Sequence, residues 1–216
     1  VRDFGGINPK SIDGQGNFSE PIFISRDDLD GITYHIVDID GDKDQDILFT
    51  SDYNNELAWF ENIDGQGSFG KKQTISTTVD SPYNIKTADI DQDGDQDVIT
   101  ASNGDNQIAW YENIDGKGSF GPQNIVSDVA NSNTSIHVID VDADGDKDII
   151  SNLSFLDSKI VWYENTDGLG SFGKEQTLIS NTNYASAIYP KDIDNDNDQD
   201  LILSSYNNIS LCENLD

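Results

Sequence analysis

One acidic segment of nine residues recurs four times along the chain, and this repeat restricts the possible folds more than any other feature. The four copies read DIDGDKDQD, DIDQDGDQD, DVDADGDKD and DIDNDNDQD. They begin at Asp38, Asp89, Asp140 and Asp192, so successive copies start 51, 51 and 52 residues apart. A period near 50 residues is typical of chains that stack one small structural unit several times, as the blades of a β-propeller do.

Two further motifs follow the acidic segments at fixed distances. The first is Trp-Phe-Glu-Asn or Trp-Tyr-Glu-Asn, altered in the last copy to Leu-Cys-Glu-Asn, and its copies begin at Trp59, Trp110, Trp162 and Leu211. The second is the turn Asp-Gly-x-Gly-x-Phe, which begins at Asp64, Asp115 and Asp167. The fourth copy of this turn begins at Asp13, near the other end of the chain.

Each repeat is predicted to contain four short β-strands, because short apolar runs alternate with turn signals. In the second repeat these strands are Asn84–Ala88, Val98–Ser102, Ile108–Tyr111 and Phe120–Val126. The third strand carries bulky side chains on both faces, so both faces are expected to be buried. No segment has a convincing helical pattern. The chain is therefore predicted to be all-β, a β-propeller with four blades of four antiparallel strands.

The displaced fourth turn predicts how the propeller closes. The chain ends at Asp216, directly after the third strand of the last repeat, while Asn17–Ser25 has the pattern of a fourth strand without a preceding partner. Residues 1–216 are thus interpreted as one domain in which residues 11–26 form the outer strand of the last blade and close the ring. The repeats are placed at about 31–76, 82–127, 133–180 and 184–216. Two alternatives stay open, namely four blades cut from a larger propeller and two chains that share edge strands in an eight-bladed ring.

The acidic segments have the spacing of a calcium-binding loop. Calcium takes six to eight oxygen ligands, and alternate aspartates in a tight loop direct short carboxylates towards one point. Positions 1, 3, 5 and 9 are the predicted ligands: Asp38, Asp40, Asp42 and Asp46; Asp89, Asp91, Asp93 and Asp97; Asp140, Asp142, Asp144 and Asp148; Asp192, Asp194, Asp196 and Asp200. Glycine or asparagine at position 6 permits the sharp turn in the last three copies, whereas the first copy departs from this pattern with Gly41 at position 4 and Lys43 at position 6. Position 7 is expected to offer its backbone carbonyl and to keep its side chain in solvent.

Charge repulsion also favours bound cations. Twenty of the 41 acidic residues lie in the four segments, and five carboxylates within nine residues repel one another unless a cation lies between them. About four structural calcium ions are therefore predicted. They would change the formal net charge from −29 to −21. The alternative is that the aspartates only solvate turns.

The overall composition excludes several classes of protein. A net charge of −29 and a pI near 4.1 exclude nucleic acid and anionic membranes as partners, because both would repel the chain. No apolar run approaches the length of about 20 residues that a membrane helix needs, and 35% hydrophobic residues are too many for a disordered chain. The single cysteine, Cys212, cannot form an internal disulfide. The absence of methionine, including at position 1, predicts a processed piece of a longer product.

Together the three motifs resemble the FG-GAP or VCBS repeats of secreted bacterial proteins, to which the blades of the integrin α-subunit head are distantly similar. The resemblance extends over residues 11–216. It implies calcium-loaded propeller blades, an extracellular or cell-surface location, and a role in adhesion or carbohydrate recognition. It also implies that the acidic loops lie on one side of the propeller and that ligands bind on the other. Propellers of this kind usually have seven blades, whereas this sequence contains four repeats.

The loops expected on the ligand side carry aromatic and amide side chains. The candidate binding residues are Tyr53, Asn54, Phe155, Tyr206 and Asn207 between second and third strands, with Tyr83 and Tyr184 ahead of first strands. Aromatic rings can stack on the apolar faces of sugars, and amides can bind sugar hydroxyls. The alternative is that these residues pack between blades or are ordinary turn residues.

A second group of candidate residues lies three positions before the acidic segments: His35, Lys86, His137 and Tyr189. Equivalent positions on four inner strands would form a ring near the propeller axis. These side chains either line a water-filled channel or act as acid and base on an acidic polysaccharide, as in a lyase.

The sequence is therefore interpreted as an extracellular, calcium-stabilised β-propeller that serves as a binding or adhesion module. Carbohydrate is favoured over an extracellular protein as its ligand. A polysaccharide-acting enzyme that uses the inner ring and a structural spacer within a larger secreted protein are the alternatives. The expected oligomeric state is a monomer or a homodimer that shares edge strands.

Overall fold

The computed structural model describes residues 20–25, 32–130, 135–153, 158–182, 185, 187–205 and 207–215. In these ranges all regular structure is β-strand, arranged in four antiparallel sheets that we call blades 1 to 4. Blade 1 contains β1 (Ile32–Val37), β2 (Asp46–Ser51), β3 (Glu56–Phe60) and β4 (Gln73–Ser76). Blade 2 contains β5 (Pro82–Ala88), β6 (Asp97–Ser102), β7 (Gln107–Tyr111) and β8 (Asn124–Ser127). Blade 3 contains β9 (Ile136–Ile139), β10 (Asp148–Leu153), β11 (Lys159–Tyr163) and β12 (Gln176–Ile179). Blade 4 contains β13 (Ala187–Lys191), β14 (Asp200–Ser205) and β15 (Asn208–Cys212).

The strand order within each blade follows the chain, so every blade is an antiparallel meander. The predicted blade of four strands is confirmed for blades 1 to 3, while blade 4 has three strands among the described residues. The last strand of blade 2 starts later than predicted, because Phe120 pairs only through an isolated bridge to Asn113. Across the described ranges, no helix is long and apolar enough to cross a membrane.

The third strand of blades 1 to 3 is largely buried on both faces, as the sequence predicted. The third strand of blade 4 is largely exposed, so the prediction is wrong there, because no described blade follows blade 4 to cover it. In β7, Ile108, Ala109, Trp110 and Tyr111 are all buried. Successive side chains of a strand point to opposite faces of the sheet. Trp110 accordingly packs in the hydrophobic cluster shared with blade 3, and Tyr111 packs in the one shared with blade 1. The third strand of blade 2 therefore packs against both neighbouring blades, through Trp110 on one face and Tyr111 on the other.

Neighbouring blades are joined by hydrophobic clusters between their sheets. We call the face of a blade that meets the next blade in the chain its downstream face, and the other its upstream face. Leu57 and Trp59 on the downstream face of blade 1 share a cluster with Ile85, Val98 and Tyr111 on the upstream face of blade 2. Burial of each such side chain contributes about 1.5–3 kcal/mol. The spaces between the sheets are thus the hydrophobic core of the molecule.

The same arrangement recurs at the next two interfaces. Ile108 on the downstream face of blade 2 shares a cluster with Ile136 of blade 3. Ile160 on the downstream face of blade 3 shares a cluster with Ile188 of blade 4. Sheets stacked face to face in chain order are the architecture of a β-propeller.

The second glycine of the Asp-Gly-x-Gly turn packs against a tryptophan of the preceding blade at two of these interfaces. Gly118 of blade 2 lies against the ring of Trp59 in blade 1, and Gly170 of blade 3 lies against the ring of Trp110 in blade 2. A Cβ at either position would overlap the indole, and both glycines have a positive φ, of 82° and 84°. Only glycine meets both requirements.

The predicted closure of the ring by residues 11–26 is not observed among the described residues. Residues 20–25 belong to no sheet, and β15 pairs with β14 alone. Residues 22–25 instead lie beside the upstream face of blade 1, where they line a cavity of about 390 Å³ with Ile36, Ile47 and Phe60. Residues 11–19 and 26 lie outside the described part of the chain. The described blades thus form an arc with two end faces.

Candidate functional site

Each acidic segment forms the loop between the first and second strands of its blade. The Asp-Gly turn that follows the third strand lies at the same end, which we call the metal end. The side chain of Asp95, at position 7 of its loop, lies against Gly116 of that turn, where a Cβ would collide with the carboxylate. Asp146 has the same contact with Gly168. The position-7 side chains therefore pack on a turn, whereas the sequence led us to expect them in solvent.

The carboxylate at position 1 organises each loop by accepting backbone hydrogen bonds. Asp38 accepts from the N–H groups of Gly41 (2.9 Å) and Lys43 (3.0 Å). Equivalent bonds join position 6 to position 1 in the other loops: Gly94 to Asp89 (3.1 Å), Gly145 to Asp140 (3.1 Å) and Asn197 to Asp192 (3.3 Å). The first loop, whose sequence departs from the pattern, therefore has the same backbone hydrogen bond as the others.

A positive φ is required at two positions of each loop, one more than the sequence indicated. At position 6 the residues and their φ values are Lys43 (78°), Gly94 (97°), Gly145 (101°) and Asn197 (80°). At position 4 they are Gly41 (75°), Gln92 (63°), Ala143 (60°) and Asn195 (68°). Position 4 was missed because glutamine and alanine give no signal for a left-handed backbone. Residues with a Cβ accept this conformation at a cost of about 1–2 kcal/mol each.

The aspartate at position 9 joins the loop to the end of the third strand. One oxygen of Asp97 accepts from the N–H of Ile90 (2.9 Å), and the other accepts from the N–H of Asn113 (2.9 Å). The same pair of bonds occurs at Asp46, Asp148 and Asp200. Burial raises the pKa of Asp97 to about 7. Position 9 is thus a structural clamp as well as a candidate ligand.

Three carboxylates converge in every loop. Their ligand oxygens lie within 4.8 Å of one another in each of the groups Asp38, Asp40 and Asp42; Asp89, Asp91 and Asp97; Asp140, Asp142 and Asp148; Asp192, Asp194 and Asp196. The fourth predicted ligand of each loop lies outside its group: Asp46, Asp93, Asp144 and Asp200. The structure therefore brings together three of the four predicted carboxylates per loop.

The chemistry of these groups fits a hard divalent cation. Asp89 Oδ1 and Asp140 Oδ1 are buried and have no hydrogen-bond donor among the described residues. Burial first, and then the charge of Asp46, raises the pKa of Asp40 to about 6. A buried carboxylate oxygen without a donor is costly, and so is a cluster of like charges. A cation bound by these oxygens would remove both penalties, and carboxylates are ligands that hard divalent ions prefer.

The opposite end of the arc carries the loops between second and third strands. Tyr53 is 78% exposed and Tyr83 is 51% exposed, and Asn54 and Asn207 are also exposed. The side-chain oxygen of Asn55 accepts from the N–H of Ser81 (2.9 Å), which joins the loop of Tyr53 to the segment that leads to Tyr83. The other three predicted residues of this surface, Phe155, Tyr184 and Tyr206, lie outside the described residues.

The predicted inner ring lies on the innermost strands β1, β5, β9 and β13, each of which contacts the next. His35 and His137 are half-buried. Burial first, and then the positive charge of Lys86, lowers the pKa of His137 to about 4 and also lowers the pKa of His35. Tyr189, the fourth member, is 62% exposed. A base with a pKa near 4 is poorly matched to proton transfer at neutral pH, so this geometry favours a structural role for His137.

Comparison with known proteins adds a family and a fold. The sequence model of the FG-GAP-like repeat matches residues 38–100 and again residues 89–151. No curated protein matches the chain. Among the solved structures that match is a lectin from Agrocybe aegerita, described as recognising non-reducing terminal N-acetylglucosamine, with 17% sequence identity and a TM-score of 0.68. The alignment covers 94% of this chain and 56% of the lectin chain, so this chain spans little more than half of that protein.

Proposed function

The chain belongs to the family of FG-GAP-like repeat proteins, and on this premise we propose that it is an extracellular, calcium-stabilised propeller module that binds carbohydrate. The observation that carries the proposal is the recurrence of a three-carboxylate cluster in four loops with positive φ at the same two positions. Positions 1 and 3 belong to every cluster, and the third carboxylate comes from position 5 in blades 1 and 4 and from position 9 in blades 2 and 3. A cluster that recurs at the same place in every blade is typical of a structural site. Ligand recognition then belongs to the less repetitive loops at the opposite end.

Calcium is the proposed cation because of the ligands and the geometry. Three carboxylate oxygens, backbone carbonyls and water can supply the six to eight oxygens at about 2.3–2.6 Å that calcium takes. Magnesium requires a near-ideal octahedron and releases its water reluctantly, so a site that offers several protein carboxylates favours calcium. Calcium sites of extracellular modules bind at about 0.1–1 mM, a concentration range that is met outside the cell. An extracellular location would keep sites of this affinity filled, and it is part of the proposal.

Carbohydrate is the proposed ligand class because the end of the arc opposite the metal sites combines exposed tyrosines with amides. Tyr53 and Tyr83 offer ring faces to the C–H surfaces of a sugar, and Asn54 lies next to Tyr53. The fold is shared with a lectin at low sequence identity. This likeness shows the fold alone, so the sugar and its position are part of the proposal.

A glycan and polysaccharide array tests the proposal. The whole chain is applied in millimolar calcium and again with excess chelator, and the variants Tyr53→Ala and Tyr83→Ala are compared with Ile63→Ala. Ile63 is exposed at the metal end, so it is a matched apolar truncation away from the proposed surface. We expect binding in calcium that is lost with the chelator and in the tyrosine variants but is kept by Ile63→Ala. An array without any bound glycan in calcium would contradict carbohydrate recognition.

A further inference from the structure

The interfaces between blades repeat three contacts. The first is the hydrophobic pairing of downstream and upstream faces. The second is a hydrogen bond from the side-chain amide of the Trp-x-Glu-Asn asparagine to a carbonyl of the preceding blade: Asn113 to Ile39 (2.9 Å), Asn165 to Ile90 (2.9 Å) and Asn214 to Val141 (3.2 Å). The third is the glycine that lies on the preceding blade's tryptophan, as Gly118 does on Trp59. These three contacts show which groups of a neighbouring blade pair with each blade face.

The downstream face of blade 4 has the first half of the first two contacts, with Leu211 in place of the tryptophan of the third, and no described partner for any of them. Ile209 is 81% exposed, whereas its equivalents Leu57, Ile108 and Ile160 are fully buried. Leu211, at the tryptophan position, is 55% exposed. Ile193 holds the position of the acceptors Ile39 and Ile90, and none of the four equivalent asparagines donates to its carbonyl in the described ranges.

The upstream face of blade 1 has the complementary half on its first strand and in its loops, while Phe49, Ala58 and Phe60 on the same face are buried in a cluster of their own. Tyr34 is 68% exposed, while the residues at its position in the other blades, Ile85, Ile136 and Ile188, are at most 3% exposed. The side-chain amide of Asn62 donates to Gln45 in its own blade (3.2 Å). Gly67 has no atom within 4 Å of the place where Gly118 and Gly170 meet a tryptophan ring.

Residues 22–25 lie in a position that could supply the outer strand that blade 4 lacks among the described residues. By the period of the repeat, Ile24 is equivalent to Ile75 of β4, which packs against the cluster that contains Tyr111 of the next blade. Ile24 correspondingly lines the cavity beside Phe60, the residue of blade 1 at the Tyr111 position. This segment therefore lies where the outer strand of a preceding blade would lie. Blade 4 has three inner strands and lacks an outer strand in the described chain.

We propose that the downstream face of blade 4 in one copy packs on the upstream face of blade 1 in a second copy, and that two copies close a head-to-tail ring of eight blades. Each shared blade then combines β13, β14 and β15 of one copy with residues 22–25 of the other, which pair along the edge of β15 where no described strand lies. A second copy is the occupant that these faces fit, because each supplies what the other lacks and because Tyr34 and Ile209, one on each face, are both exposed within the described part of one chain. An interface between two different faces closes into a ring when the rotation permits it.

The first test is the mass of the whole chain in millimolar calcium at physiological ionic strength, where the repulsion between two acidic chains is screened beyond about 8 Å. Sedimentation equilibrium should give 47.6 kDa, twice the 23.8 kDa of one chain. A mass of 23.8 kDa at all concentrations would overturn the proposal, and so would species larger than two chains.

Charged substitutions at the two end faces test its geometry. Tyr34→Asp and Ile209→Asp are at exposed positions, so each variant should fold and remain a monomer. Ile125→Asp, on the exposed side of β8, is the matched control and should remain a dimer. A mixture of equal parts Tyr34→Asp and Ile209→Asp should recover dimers, because one of the two interfaces then joins two unaltered faces. Dimers that persist in either variant alone, or no recovery in the mixture, would overturn the head-to-tail arrangement.

Discussion

The hydrogen bond from Asn113 across the first interface allows a prediction with an internal control. The side-chain amide of Asn113 donates to Ile39 (2.9 Å) and Gln96 (3.3 Å), and its oxygen accepts from Gly118 (3.0 Å). Among the described residues, the side chain of Asn62 makes only the two bonds within its blade, to Gln45 (3.2 Å) and from Gly67 (2.9 Å). The substitutions Asn113→Ala and Asn62→Ala thus remove the same contacts except for the bond that crosses the interface.

The difference between the two variants measures that bond. Asn113→Ala leaves the carbonyl of Ile39, whose side chain is buried, without its donor, and an orphaned buried acceptor costs about 1–3 kcal/mol. In a chain of this size 1 kcal/mol moves the Tm by about 2–4 °C. Asn113→Ala should therefore melt at least about 2 °C below Asn62→Ala.

The melts are best recorded in calcium by tryptophan fluorescence, in an Ile209→Asp background that keeps Asn62 away from any second copy. A single cooperative transition is required for the comparison. Asn165→Ala should reproduce the larger loss, because Asn165 makes the same bond to Ile90 (2.9 Å). Equal Tm values for Asn62→Ala and Asn113→Ala would refute the reasoning.

Three other substitutions have expected outcomes. Gly118→Ala should destabilise the chain by about 1–3 kcal/mol more than Gly67→Ala in thermal melts, since both have a positive φ but only Gly118 meets a tryptophan; equal losses would contradict this contact. Lys43→Gly should raise the free energy of unfolding by about 0.5–1 kcal/mol in urea titrations, because Lys43 has a φ of 78°, and a loss of stability would contradict the strain. The pKa of His137 is about 4 in the folded chain against 6.5 ordinarily, so the unfolded chain takes up a proton first and stability is lost as the pH falls from 6.5 towards 4. His137→Gln should show a smaller loss over this window, and identical pH profiles would show that His137 is not responsible.

The repeat predicted much of the fold because it is a local signal. Short apolar runs separated by turn residues are sufficient to place strands. In blade 2, the strand that follows the acidic segment begins within one residue of its predicted start. The convergence of carboxylates is also local, because alternate aspartates in one tight loop are within reach of one another. The placement of the strands and the convergence of the carboxylates therefore both depend on residues less than ten positions apart in the sequence.

Contacts between blades are not local, and the sequence did not predict them. The asparagine of Trp-x-Glu-Asn is visible in every repeat, yet in blades 2 to 4 it donates to a carbonyl of the preceding blade, as with Asn113 and Ile39, 74 residues apart. Closure of the ring depends on the angle between stacked sheets, which packing in the interfaces determines and no single repeat encodes. The exposure of Ile209 was therefore not foreseeable from a pattern that Leu57 and Ile108 share.

The most direct test of the account is a calcium titration of the chelator-stripped chain by calorimetry, paired with thermal melts. About four calcium ions should bind per chain. The Tm should rise with calcium, because each site adds about 2.7 kcal/mol to the stability of the folded state when the free calcium concentration is 100 times its Kd. Magnesium at the same concentration should raise the Tm less. No bound calcium, or the same Tm in calcium and in chelator, would contradict the claim that these acidic loops are structural metal sites.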